Sequence, residues 1–467
     1  MSYLNKKNGI LAASALTLIA AAAAAPAYAA DSDSVQDLDQ RVRILERQLE
    51  IQKEEADAKA KDAPIVSADS KGFSIKNAKG DYELQFHALV QGDARFYNGD
   101  NAGSTPGQLS DNFVLRRVEP TLSGSLGKYV GFLITPEFNG TAPTLLDFWG
   151  ELRFDPAANV RVGRFKEPVG LENLQSSPAL TFIERGLTTD LVPSREVGAQ
   201  LHGQFLNQTL SYAVGIFNGA ADGGDASAAD TDNRHDIAAR IFAEPFKNSP
   251  GLLQNLGFGV AGTVGNVAGT AGAAGGAAAN TAAIVSGYKT VGQNTFFTYR
   301  ATTFADGRRS HLAPQAYWYN NNYGVLTEYV ISRQHLVNGA NDASVSNKAY
   351  EVIANYVITG EDASFKGVKP KNAFKVGGDG WGAFEVAARL GNLSIDDRAF
   401  SGGATSFADI TKAASKAREY GIATNWYLNN NAKVAINYEE TRFDDGAAAG
   451  TDRANERAIL ARLQVAF

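Results

Sequence analysis

From Tyr82 onward, apolar and polar residues alternate with period two. Tyr82, Leu84, Phe86, Ala88, Val90, Ala94 and Phe96 fall on one face; Glu83, Gln85, His87, Gln91, Asp93 and Arg95 mostly fill the other. Successive strand side chains point to opposite faces, so this is an amphipathic strand. The pattern recurs at 145–155, where Leu146, Phe148, Leu152 and Phe154 oppose Asp147, Trp149, Glu151, Arg153 and Asp155. It returns at 195–206, 381–395 and 416–443, and in the last segment, where Ile459, Ala461, Leu463, Val465 and the terminal Phe467 share a face. Upstream the period is different. Val35, Leu38, Val42, Leu45 and Leu49 recur at spacings of 3 and 4, weakly continued by Gln52 and Ala56. That spacing predicts a heptad helix, which Pro64 ends.

The connections between strands alternate in length. Short ones lie near 127–128, 155–159, 206–209, 320–322 and 429–431; long ones span 98–111, 166–194, 217–233, 264–310, 335–347, 396–416 and 443–455. The segment 359–380 is the exception, a long connection on the short side. A sandwich shares the alternation within strands but not this alternation between connections. The pattern predicts an all-β fold, a sixteen-stranded antiparallel transmembrane β-barrel with a short N-terminal coiled-coil helix. Thr295 to Thr303 also looks strand-like, but counting it makes the strand number odd, so it is placed in the longest loop. Trp318, Tyr323, Trp381, Trp426 and Tyr427 lie near strand ends, as the aromatic girdles of such barrels require. The Gly/Ala-rich stretch 261–287 reads as low complexity.

The N-terminus changes the compartment. Lys6 and Lys7, the small apolar run 10–25 and Ala27-Tyr28-Ala29 have the form of a secretory signal with its cleavage site. The run is short of the ~20 residues that a spanning helix needs. The expected division is 1–29 signal peptide, 30–63 periplasmic heptad segment, 64–81 linker and 82–467 barrel. The chain has no Cys, and a barrel closed by its own hydrogen bonds needs no disulfides. Net charge goes from −6 to −8 when the signal leaves, because Lys6 and Lys7 go with it and no acid does. That excludes a broadly basic nucleic-acid binder.

Enzyme chemistry finds no support. Gly257, Gly259 and Gly262 match G-x-G-x-x-G, but neither the helix nor the acidic residue of a dinucleotide site follows. The five histidines are scattered at 87, 202, 235, 311 and 335, and no G-x-S-x-G elbow occurs. No catalytic residue, cofactor or metal site is assigned.

Several runs, in order, resemble the phosphate-selective porins O and P. They are Arg116-Arg117-Val118, the run from Val160 to Pro168 (VRVGRFKEP), the run from Leu180 to Gly186 (LTFIERG), the run from Val214 to Gly219, Thr359-Gly360-Glu361, Trp381-Gly382-Ala383-Phe384-Glu385 and the run from Asn425 to Asn429. The resemblance implies a trimeric outer-membrane porin whose third loop, 166–194, folds inward to narrow the pore. It places Arg116 and Arg117 at the constriction with Asp147 nearby and Lys166 opening the loop. A fixed guanidinium replaces the hydration of a passing anion, and its fork matches phosphate. Alternation adds Arg95, Arg153, Arg161, Arg240 and Arg389 to the lumen lining. It also sets a condition: Arg117 points inward with Glu119, so Arg116 points outward unless a bulge turns both to the lumen.

The phosphate-specific members carry an arginine on the first strand where Leu89 stands here, and no arginine ladder is evident. The expected function is passive diffusion of small hydrophilic solutes, with anions such as phosphate first and sugars or organic acids as the alternative. An outer-membrane lipid hydrolase, or a tether joining membrane and cell wall through 31–62, are the readings from other classes. The expected partners are two further copies of the chain, outer-membrane lipid and lipopolysaccharide, the barrel-assembly machinery reading Phe467, and the solute.

Overall fold

The computed structural model describes residues 32–99, 102, 108–225, 233–270 and 285–467. The signal peptide assigned to 1–29 and half of the Gly/Ala-rich stretch lie outside the described residues. The chain divides into two units, Met1–Ala63 and Pro64–Phe467. In the first, one helix, α1 (Ser32–Asp62), carries the heptad row. Leu38, Val42, Leu45 and Leu49 are all exposed along it, flanked by the ion pairs Arg41–Asp37 and Arg43–Asp39 at 3.1 and 2.9 Å.

The second unit is the barrel. Its sixteen strands are β1 (Tyr82–Asn98), β2 (Asn112–Leu126), β3 (Val130–Glu137), β4 (Thr144–Asp155), β5 (Ala158–Lys166), β6 (Arg195–Phe205), β7 (Leu210–Phe217) and β8 (Asp236–Ala243), then β9 (Leu256–Val267), β10 (Phe304–Asn320), β11 (Tyr323–Asn338), β12 (Asn341–Val357), β13 (Ala383–Ser394), β14 (Ala414–Tyr427), β15 (Ala432–Asp445) and β16 (Glu456–Ala466). Each pairs antiparallel with the next. The last returns to the first, with Arg457 opposite Asn98 and Ala466 opposite Leu89, and the ring closes. The amphipathicity is inside out. Leu390, Ile422, Ile436 and Leu463 are more than half exposed on the outer face, while Arg389, Glu419 and Asn437 are buried within. An apolar band of this extent needs hydrocarbon around it, and a wall in hydrocarbon tolerates no open edge.

The structure departs from the sequence reading at three places. The connection expected at 335–347 is a tight turn, Gly339 and Ala340, because β11 and β12 pair all the way from Tyr323–Tyr356 to Asn338–Asn341. The outer face of that stretch, with His335, Asp342, Ser344 and Ser346, is mostly polar and so reads as a loop, but a strand beyond the bilayer needs no apolar outer face. On the short-turn rim, Glu244 to Asn255 forms an extra connection of turns. The segment 64–81, expected as a linker, holds a β-hairpin, Ile65–Asp69 with Gly72–Lys76. Its second strand pairs with the low end of β1, Phe73 opposite Phe86. It thus takes up the edge of β1 where β16 stops. Phe467 is held there by two backbone hydrogen bonds with Ala88 and by the rings of Phe73 and Phe86, whose centroids lie 5.9 and 6.3 Å away. Thr295–Phe297 lies outside the wall, in a small ribbon with Tyr288–Lys289.

Candidate functional site: the pore constriction

The loop 167–194 folds into the barrel. A turn of helix, α2 (Leu171–Leu174), and two 3-10 turns, Ser177–Ala179 and Leu187–Leu191, bury Leu171, Leu180, Phe182, Ile183, Leu187 and Leu191. What fixes the loop is mainly its backbone. Along the far wall Lys433, Asn425, Arg462 and Arg389 donate to the carbonyls of Leu180, Thr181, Ile183 and Glu184, at 2.8, 2.8, 2.5 and 2.8 Å. Glu328 and Glu419 accept from the amides of Leu171 and Leu187, at 2.6 and 3.3 Å. Buried backbone groups must be satisfied, and here the wall's polar and charged side chains do it. Packing the loop against β11–β16 leaves the passage on the side of β1–β8.

That passage is two cavities meeting at a neck. The larger, about 1480 Å³, opens at the short-turn rim and reaches Glu119, Asp147, Lys166 and Arg195. The smaller, about 510 Å³, faces the long loops and is lined by Arg116, Arg117, Glu184 and Arg185 among others. Glu119, Ser177 and Arg195 border both.

The arginine pair reaches this neck by a bulge. Gln91 faces Arg117 and Gly92 faces Leu115, so Arg116 is the extra residue of β2. Strict alternation put Arg116 outward; the structure turns it inward beside Arg117. Its Nε and Nη2 bind the two oxygens of Glu184 at 2.6 and 3.0 Å. Glu184 also takes Arg95 at 3.1 Å and Arg462 at 3.2 Å. Burial pushes the Glu184 carboxyl up, but Arg116, Arg117 and Arg462 outweigh it and hold it well below the ordinary carboxylate range.

The other candidates divide by partner. Arg117 donates to the amide oxygen of Gln91 at 2.7 Å and stands 3.5 Å from Glu119. Asp147 accepts from Arg195 at 3.1 Å. Lys166 donates to the carbonyl of Asn173 at 2.5 Å. Arg185 donates to the carbonyls of Glu172 and Gln175, at 3.0 and 2.7 Å. Arg153 and Arg161 share Glu151, and Arg161 lies 4.1 Å over the Trp149 ring. Arg240 binds Gln315 and lines the large cavity with them. Arg95 and Arg389 also point inward, but both are buried beneath the loop and serve its docking. Sequence reasoning assigned no role to Glu184, Arg185 or Arg195, although all three stand in or beside the inward loop.

One further element enters from the short-turn rim. In the connection after β12, Phe365 stacks on Tyr317 at 5.2 Å and its carbonyl accepts from Gln175 of the inward loop at 2.8 Å. Lys366 and Lys369 of that segment line the large cavity.

A family model, phosphate-selective porin O and P, matches residues 84–467. The chain belongs to this family. Porin O of Pseudomonas aeruginosa is 23% identical over 426 residues, covering 87% of this chain and 93% of the relative. Among solved structures, the outer membrane channel DcaP of Acinetobacter baumannii superposes with a TM-score of 0.51 at 13% identity, over 83% of this chain and 98% of that one. The chain is therefore an outer-membrane porin, a channel for small solutes. Its short-turn rim is periplasmic and its long loops are extracellular.

Proposed function

We propose that this porin favours small anions, and that the bias comes from cations at the neck that have no carboxylate partner among the described residues. The observation that carries this is the pairing of Lys166 and Arg185. Both give their hydrogen bonds to backbone carbonyls rather than to carboxylates, and of the two the Arg185 guanidinium is the one that keeps its charge when buried. Lys166 borders the larger cavity and Arg185 the smaller. Arg117, whose main partner is neutral, stands with Arg185. Asp147, tied to Arg195, and Glu119 keep the anion's hold weak enough for release. Transport is passive and has no turnover; His87 and His202 face the large cavity rather than lipid, which disfavours a lipid hydrolase.

Phosphate, the solute in the family's name, is one candidate. Leu89 replaces the first-strand arginine and lines the large cavity as an apolar residue. Trp149 under Arg161, with Phe165 nearby, favours a second reading, organic carboxylates, whose flat apolar part stacks while the guanidinium takes the charge. Planar-bilayer reversal potentials in chloride, phosphate and a dicarboxylate test both. A potential of anion sign that collapses in Lys166→Ala and Arg185→Ala supports the anion reading, and a cation-selective wild type overturns it.

The working assembly in this reading is a trimer. The exposed row of α1 would pack against the same row of two other copies. In a parallel bundle Arg41 falls opposite Glu46 of the next helix, the interhelical pair such seams use.

A further inference from the structure

Behind the inward loop lies a group of buried acids that permeation does not use. Glu328 and Glu351 are directly opposed on β11 and β12, an arrangement that like charges disfavour. Glu419 and Glu439 follow on β14 and β15, and the loop contributes Glu172. Arg389 is the guanidinium among them; it pairs with Glu419, with Glu439 at 3.1 Å, and stands 3.9 Å from Glu172. All six side chains are buried. Even with Arg185 beside Glu172, the five buried carboxylates outnumber the guanidiniums among them and cannot all be ionised. No group of three or more acids or histidines among the described residues converges to hold a metal ion. A buried carboxyl relieves such an excess by taking up a proton.

Glu351 is where a proton has most to do. Its side chain is fully buried, and neither oxygen meets a donor among the described residues. One oxygen rests on Gly186 of the loop, so closely that a Cβ there would come within 2.1 Å of it. Gly186 in turn gives its amide to Glu172 at 2.7 Å. Glu172 and Glu351 thus meet at Gly186, and two carboxyls brought together there attract only if one of them holds a proton. Burial pushes the Glu172 carboxyl up, against the pull of Arg389. The charged groups facing Glu351 are Glu172 from the loop, Glu328 from β11, Arg389 from β13 and Glu419 from β14.

We propose that Glu351 is a positioning residue of the pore, whose carboxyl shares a proton with Glu172 and so latches the inward loop to the wall, and that removing this proton releases the latch. The sign follows from the geometry. With the proton in place the two carboxyls attract. Without it, two carboxylates repel beside Glu328 and Glu419, with Arg389 already committed. The loop is held at neutral and acid pH and loosens toward alkaline pH.

This inference rests on the channel reading, and one experiment separates the two. Single-channel conductance and the potassium chloride reversal potential of the full-length protein are followed from about pH 6 to about pH 10, where a buried carboxyl titrates. The wild type should show an alkaline step, in which conductance rises and anion selectivity falls. Glu351→Gln mimics the protonated acid and should lose that step while keeping the neutral-pH conductance. Glu351→Leu, which removes the titrating group without a polar atom to satisfy, serves if the Gln variant does not assemble. A wild type without an alkaline step, or variants that keep it unchanged, overturns the latch. Absence of any conductance overturns the channel instead.

Discussion

At the scale of single residues, the constriction is a set of arginines sorted by what they bind. Arg117 keeps much of its charge for the pore, so Arg117→Ala should lower the anion/cation permeability ratio by about fivefold, on the order of 1 kcal/mol for a cation lost beside low-dielectric walls. Reversal potentials measure it. Arg116 is spent on Glu184. Its loss should change selectivity less than that of Arg117 but lower the thermal stability of the loop, read as earlier proteolysis on heating. Asp147→Asn frees Arg195 and should raise the anion ratio. Glu184 adds a pH limit. Its carboxyl sits below the ordinary range in the folded state, so its stabilisation is complete above the ordinary carboxylate pKa and is lost as pH falls below it. Selectivity should hold at mildly acid pH and decay only in strong acid, measured on the same bilayer. The inward direction of Arg117 was legible in the sequence, because period two fixes it. The bulge that turns Arg116 inward was legible only as a condition. What decides it is the Glu184 carboxylate, 68 residues away in sequence.

At the scale of elements, the wall was readable because hydrocarbon imposes one pattern on every strand. The parts outside the bilayer were not. The β11–β12 turn and the hairpin Ile65–Asp69 with Gly72–Lys76 both lie where no apolar face is demanded, so alternation carries little information there. The hairpin had a turn signal: Asp69 accepts from the Lys71 amide at 2.7 Å, and Gly72 has φ +99°, a conformation suited to glycine. Its strands are simply too short to stand out. The inward loop's docking was illegible for another reason: the wall reads its backbone, and backbone groups leave no mark in a sequence. Deleting 34–62, the bulk of α1, should leave conductance and strand content intact while weakening the proposed trimer, measured by native electrophoresis and bilayer recording. Deleting 64–77 is a different matter, since it bares the edge of β1. It should lower the yield of assembled barrel and its resistance to heat in detergent.

For the whole molecule, the barrel is a ring, and its last contact joins its two ends. Phe467 pairs with Ala88, and removing Phe467 should reduce the amount inserted in the outer membrane more than it changes the pores that form, measured by membrane fractionation and bilayer recording. Normal insertion without it would show that this residue is not needed to finish the seam. The hairpin gives the seam a further consequence, in time rather than in space. Pairing β1 with β16 has the greatest sequence separation in the fold, so it comes late, and until then β1 waits with one edge unpaired. The hairpin is adjacent in sequence and can fold onto the lower part of that edge at once. It is then a guard present before the strand it guards has a permanent partner, shortening the edge open to a stray chain.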